Sequence, residues 1–202
     1  MHQTDEELVA AYLEQHDQSA FRILVERHQE RIFGFLLGMV RDRDLANDLF
    51  QETFVRVIDA MHKRRGSYTQ QGRWLGWVMR IARNAALDHL RSRKKWQDVS
   101  ANADDEGTSY WERLPDDAPA ADEILHRDAQ QDWLAECIDQ LPPEQREVVL
   151  LRQDTELTFR EIAELTDVSI NTALGRMRYA LLNLRRMIDE SKKKQLAEIQ
   201  AA

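Results

Sequence analysis

TFREIAELTDVSINTALGRMRYALLNLRR, residues Thr158–Arg186, reads as two helices separated by a tight break. Thr158 can cap the first, with Glu161 as its reciprocal partner. Phe159, Ile162, Ala163 and Leu165 fall on one face, and the small Ala163 lets a second helix cross closely. Thr166, Asp167 and Val168 make the turn, with Val168 directed inward. Ser169 then caps the second helix, whose inward stripe is Ala173, Met177, Ala180 and Leu184. Arg160, Ser169, Asn171, Thr172, Arg176, Arg178 and Tyr179 are left for an outer surface. The pattern is a helix-turn-helix, which lays its second helix in the major groove of DNA. Arginine pairs with guanine O6 and N7 and asparagine with adenine. The amides of Ser169–Thr172 at the helix start can hold a phosphate. An ordinary helical hairpin requires neither the caps, the short turn nor the arginine-rich face.

A second cationic element lies upstream, RWLGWVMRIARNAALDHLRSRKK, Arg73–Lys95. At 100° per residue, Leu75, Val78, Met79, Ala82, Ala86 and Leu90 share one side. Arg73, Trp77, Arg80, Asn84, Asp88, Arg91 and Lys95 share the other, and Arg83, Arg93 and Lys94 widen its flank. Solvated surface helices usually mix signs, whereas this face is almost entirely positive. Trp77 stands in the polar stripe, where a base could stack on it. Asn84 is an amide in mid-helix, where propensity does not favour it, and an amide can read a base edge. Trp74 and Trp77, three residues apart, are each a candidate either for the core edge or for the DNA-facing surface.

The formal net charge is -8, which taken alone argues against a polyanionic partner. The charges fall in blocks, however. Residues 63–95 carry 10 basic and 1 acidic group, and residues 169–194 carry 7 and 2. Residues 1–62 carry 6 and 12, residues 96–123 carry 1 and 9, and residues 124–168 carry 4 and 11. Local fields decide which surface meets DNA. Two positive patches in a negative background predict weak binding to free DNA and a need for a partner that holds the chain in place.

The rest of the chain is helical by the same reading. Thr4 to Glu7 is a capping-box start for a helix to about residue 15. A longer helix covers about 19–40, and another covers about 44–62 after a break at Asp42. That third helix has an apolar stripe of Phe50, Phe54, Val57, Ile58 and Met61, and a polar one of Asp44, Asp48, Gln51, Glu52 and Asp59. Gly66–Gly72 is a turn-rich loop. Residues 97–122 are acidic, hold Pro115 and Pro119 and show no sustained period, as a linker does. Further helices are expected at about 123–140, 143–153, 158–165 and 169–189, with a frayed polar tail from about 191. Gly at 7 and Pro at 4 residues are too few for an all-β chain. The expected fold is all-α, in two small helical domains: residues 1–96, and residues 123–190 beyond the 97–122 linker.

Other functions find little support. Six dispersed histidines and the single Cys137 offer no metal-ligand spacing, and no phosphate loop or nucleophile elbow occurs. We therefore expect no enzyme activity, no cofactor and no metal. The lone cysteine fits a reducing cytoplasm. Phe33–Val40, the longest apolar run, is too short to cross a membrane, and the N-terminus has no signal-peptide pattern.

Both halves resemble one family, the extracytoplasmic-function (group 4) sigma factors of bacterial RNA polymerase. DLANDLFQETFVRV is similar to the family's region 2.2. WLGWVMRIARNAALDHLRSRKK is similar to regions 2.3 and 2.4, and the stretch from LPPEQREVV to the final arginines is similar to region 4. The resemblance implies a transcription initiation factor that binds core RNA polymerase and directs it to promoters. It implies that Asp48, Gln51, Glu52 and Phe54 dock on the clamp helices of the β′ subunit. Arg80, Asn84, Asp88 and Arg91 would open and read the −10 element, with the loop Arg65–Gly72 helping to receive a flipped base. Ser169, Asn171, Thr172, Arg176 and Arg178 would read the −35 element, and the region 4 surface would meet the β flap. An anti-sigma factor is a further partner that the resemblance raises. Leu174, Leu181 and Tyr179 depart from basic residues common at those positions, which alters the expected −35 sequence and phosphate contacts. The alternative is a stand-alone helix-turn-helix regulator, which would bind a palindrome without polymerase. The linker also permits the two domains to fold onto each other in isolation, acidic surfaces against basic patches.

Overall fold

Thr4 opens the first helix as its sequence predicts. In the computed structural model its hydroxyl accepts the Glu7 N–H at 3.2 Å, and the Glu7 carboxylate accepts the Thr4 N–H at 2.8 Å. This capping box precedes α1 (Asp5–Gln15). The structure describes residues 3–63, 74–100, 133–155 and 157–201. Among them, α1 is followed by α2 (Gln18–Val40), α3 (Arg43–Lys63) and α4 (Trp74–Ser100). Residues 133–139 form α5. Then come α6 (Pro143–Thr155), α7 (Phe159–Thr166) and α8 (Ile170–Ala201). Every regular element among the described residues is helical, so the all-α reading holds.

The first four helices form one unit in which α2 packs against α1, α3 and α4. Its core holds Leu8, Leu24, Ile32, Phe35, Leu36, Val57, Trp74 and Met79, all nearly inaccessible. Their 3.6-residue spacing gives each helix one apolar face, and burial of those faces supplies the driving force. Asp5 ties α1 to α2 by bonding Arg27 at 2.6 Å and His28 Nε2 at 2.7 Å. His28 is buried against the Trp74 ring, 5.4 Å between centroids. That burial lowers its pKa despite the opposing pull of Asp5. Arg41 ends α2 in the left-handed region, φ 57°. The Asp42 carboxylate accepts the Leu45 N–H at 3.0 Å to start α3.

In the second unit α6 and α7 pack against α8 around Leu151, Leu157, Ile162, Ala173 and Ala180. Pro143 stands at the first position of α6, where its missing N–H has no intrahelical partner to lose. Thr158 and Glu161 form the predicted capping box. Arg152 donates to the Leu157 carbonyl at 2.9 Å and lies over the Phe159 ring at 5.7 Å.

Two boundaries differ from expectation. Helix α4 continues to Ser100, four residues into the expected linker, and α8 continues to Ala201, through the tail expected to fray. Residues 191–201 contain no glycine or proline and consist mostly of Lys, Gln and Ala, all strong helix formers, so propagation needs no core contact. The loop Arg65–Gly72 and the residues 101–132, with most of the expected linker, lie outside the described residues.

The two units touch. Helix α6 packs on α2, and α7 on α4. Glycine makes the approach close. A Cβ added at Gly38 would lie 2.6 Å from a Leu150 methyl, and one at Gly34 would lie 3.9 Å from the Asp154 carboxyl. On α4, a Cβ at Gly76 would meet Leu157 at 3.8 Å. Burial raises the Asp154 pKa to about 6.

Candidate nucleic-acid interface

Helix α8 owes its start to Ser169, whose hydroxyl oxygen accepts the Thr172 N–H at 3.0 Å while its carbonyl accepts the Ala173 N–H at 3.0 Å. Of the amides predicted to hold a phosphate, that of Thr172 is therefore engaged by the cap. The amides of Ile170 and Asn171 precede it in the first turn and are the ones suited to an anion. The break before α8 is Asp167, in the left-handed region at φ 57°, with its N–H bonded to the Ala163 carbonyl. Aspartate tolerates that conformation better than most side chains. Val168 is half-buried against the core, as the turn reading expects.

Beyond the cap, α8 divides cleanly. Ala173, Ala180 and Leu184 are buried and Met177 is half-buried. Asn171, Thr172, Arg178 and Tyr179 are exposed, and Arg176 is half-exposed. Arg160 is exposed on α7 beside them. The helix-turn-helix thus presents every residue that the sequence assigned to its outer surface. It also presents Leu174, Leu181 and Leu182, 44%, 56% and 53% exposed. With Phe159 and Met177 these line a shallow apolar groove, and Arg178 and Arg185 stand beside it.

Helix α4 turns Arg80, Asn84, Asp88 and Arg91 to its exposed side and buries Val78, Met79, Ala82 and Ala86. Trp74 is wholly buried, which assigns it to the core, and Trp77 is half-buried. Arg91 and Asp88 sit 3.6 Å apart along the helix. Arg73 and the side chain of Lys95 lie outside the described residues. Arg83 is not free on this face. Its guanidinium grips Glu147 of α6, Nε to Oε1 at 2.7 Å and Nη2 to Oε2 at 3.4 Å. The two side chains are only 15% and 7% exposed. Arg80 donates to the Glu164 carbonyl at 3.2 Å.

On α3, Asp48, Gln51 and Glu52 point outward, and Glu52 pairs with Arg56 at 2.6 Å. Phe54 points inward. It is 8% exposed, packing on Phe50 at 4.9 Å and Phe21 at 6.4 Å. The exposed apolar residue here is Val55, at 61%, with Ile58 also exposed. Sequence reading passed over Val55, though it follows Gln51 by four residues and so must share that face. Glu147 was also missed, since nothing local distinguishes it from a solvated glutamate. Among the described residues, no group of His, Cys, Asp and Glu is disposed to hold a metal, and no helix is long and apolar enough to cross a membrane.

Comparison with known proteins accounts for both units. Residues 24–96 match the family Sigma-70 region 2, and residues 131–184 match Sigma-70, region 4. The chain is 37% identical over 173 residues to the RNA polymerase sigma factor CarQ of Myxococcus xanthus, covering 86% of this chain and 91% of that protein. It is 27% identical over 174 residues to the RNA polymerase sigma-H factor of Pseudomonas aeruginosa, covering 86% and 88%. It is 28% identical over 146 residues to the ECF RNA polymerase sigma factor SigM of Bacillus subtilis, covering 72% and 81%. Among solved structures the fold is shared with CnrH in complex with the cytosolic domain of CnrY, TM-score 0.65 at 20% identity, over 93% of this chain and 99% of that one. It is also shared with the sigma factor RpoE bound to the anti-sigma factor NepR from Bartonella quintana, TM-score 0.63 at 19% identity, over 84% and 96%. The two helical units, in this order and with these relatives, establish that the chain belongs to the sigma-70 family, among the extracytoplasmic-function sigma factors of RNA polymerase.

Proposed function

We propose a division of labour within a transcription initiation factor that directs RNA polymerase to promoters. Helix α3 docks on the polymerase, α4 opens and reads the −10 element, and α8 reads the −35 element. The observation that carries this reading is the exposed face of α4, where Arg80, Asn84 and Arg91 stand with a single acidic residue, Asp88, set apart in sequence from a second cationic face on α8. Two separated DNA faces suit two separated promoter elements better than one palindromic half-site.

For α8, Asn171 and Arg176 suit base edges, and Arg160, Arg178 and the first-turn amides suit phosphates. For α4, Asn84 and Arg80 are the exposed pair for a melted strand, with Trp77 beside them for stacking. On α3, Asp48, Gln51 and Glu52 form an acidic and polar rim around Val55 and Ile58. An interface built as an apolar centre with a polar rim follows the common pattern, and the β′ clamp helices are its assigned occupant. Phe54 supports that surface from beneath. The groove between α7 and α8 is assigned to the β flap, since an apolar groove with arginines beside it fits an amphipathic helix. An anti-sigma factor is a further proposed partner, of the kind that NepR is to the RpoE of Bartonella quintana.

Run-off transcription with purified core polymerase on a promoter library tests the reading. The wild-type chain should confer start-site selection. Asp48→Arg combined with Glu52→Arg should abolish it and abolish core binding, with the helical content unchanged by circular dichroism. Wild-type core affinity in that double variant would remove α3 from the role.

A further inference from the structure

Gly175 lies inside α8, in the second turn beyond the Ser169 cap. A glycine within a helix lowers its stability, because the unfolded chain has more backbone freedom to lose. Two internal causes commonly retain one. The first is a backbone turned into the left-handed region, and no described glycine has a positive φ. The second is crowding. Gly34, Gly38 and Gly76 each face the other helical unit, where an added Cβ would meet Asp154, Leu150 or Leu157. An added Cβ at Gly175 would stand in open space, with nothing to pack on within 4 Å. The fold therefore gives no reason for the missing side chain.

Exposed side chains ring this position. Asn171 and Thr172 stand one turn before it, and Arg178 and Tyr179 one turn after. Leu174 adjoins it, 44% exposed. Gly175 is half-buried among them, at the floor of a recess on the surface assigned above to the −35 element. Inside a helix the backbone N–H and C=O groups are bonded to one another, so the floor offers a bare Cα and no free donor or acceptor. With Leu174 beside it, the recess is apolar at its base and polar at its rim.

The structure assigns Gly175 a part in promoter specificity: its bare Cα receives the C5-methyl group of one thymine in the −35 element. The inference rests on the assignment of α8 to that element. Thymine alone among the four bases carries a methyl group on its major-groove edge, and apolar surface is what reads it. The side chain of alanine is itself one methyl group, so at position 175 it would fill the space that the thymine methyl takes. The helix would then stand further from the bases, and Asn171 and Arg176 would lose reach with it.

Gly175→Ala and replacement of thymine by deoxyuracil, which removes only the C5-methyl, form a double-mutant cycle. The probes are duplexes of a promoter selected by the wild-type holoenzyme, with each −35 thymine of either strand replaced in turn, and holoenzyme binding is measured by competition. At one position uracil should weaken the wild type about fourfold, the transfer value of one methyl group. On the thymine duplex Gly175→Ala should weaken binding about tenfold, as a mismatched base pair does. On the uracil duplex at that position the Ala variant should recover most of the loss, since one methyl group replaces the other. The free Gly175→Ala chain should meanwhile unfold at a higher denaturant midpoint, because alanine favours the helix and its Cβ is unobstructed. A lower midpoint would give Gly175 a structural role and overturn the inference. So would an Ala variant that binds as the wild type does, or one that loses equally on thymine and uracil duplexes at every position. Start-site selection with no dependence on the −35 sequence would remove the reading of α8 itself, whereas a −35-dependent wild type without the thymine-specific cycle removes only the role of Gly175.

Discussion

Thr158 shows how one hydroxyl can set a functional surface. Its side chain and that of Glu161 close a capping box on α7, and α7 fixes the angle at which α8 leaves the turn. Thr158→Ala should cost about 1 kcal/mol of stability, the usual loss for a capping residue, read as a lowered denaturant midpoint at unchanged slope. Thr158→Ser should recover most of it. Residues of this kind are legible in the amino-acid sequence alone, because their partners lie three positions away. Glu147 is the opposite case. Its partner Arg83 is 64 positions distant, so no local pattern distinguishes a buried, paired glutamate from a surface one. Phe54 shows a third case. It belongs to the apolar row of α3 and also adjoins the polar one, and only packing against Phe21 and Phe50 decides for the interior.

At the scale of elements, α8 carries the clearest division between core and surface. Arg176→Ala should weaken binding of the holoenzyme by about 1–3 kcal/mol and relax selection at one −35 position, if Arg176 reads a base. Binding across a set of single-base promoter variants checks this. A loss spread evenly over all sequences would mean a phosphate contact instead. The inward stripes of α4, α7 and α8 were legible from their spacing, since a 3.6-residue period leaves few alternatives once apolar residues recur on one face. The C-terminal extension of α8 was not. A polar segment shows no apolar period, so its helicity rests on propensity and on continuation from a helix already formed, and periodicity registers neither. Trp74 and Trp77 are three residues apart in a cationic stretch, and their positions could not separate them. The structure buries the first completely and the second by half.

For the whole molecule, the seam between the units should respond to pH. Asp154 of α6 lies opposite Gly34 of α2, and burial raises its pKa to about 6 from an ordinary 3.8. If docking contributes that burial, the docked state holds the proton more tightly than the separated state. Docking is then unpenalised below about pH 4, where both states are protonated, and loses stability as pH rises through 6. Scattering of the free chain should therefore show tighter compaction at pH 5.5 than at pH 7.5, and Asp154→Asn should erase the difference. An unchanged profile in the Asp154→Asn variant would assign the effect elsewhere, with Asp139, also raised by burial, the next group to replace. Arg41 joins the scales. Its backbone takes a left-handed corner where glycine would sit with less strain, while its guanidinium reaches across to Asp139. A glycine at 41 would therefore ease the bend yet cut the strap, so local comfort and long-range attachment pull this one position in opposite directions.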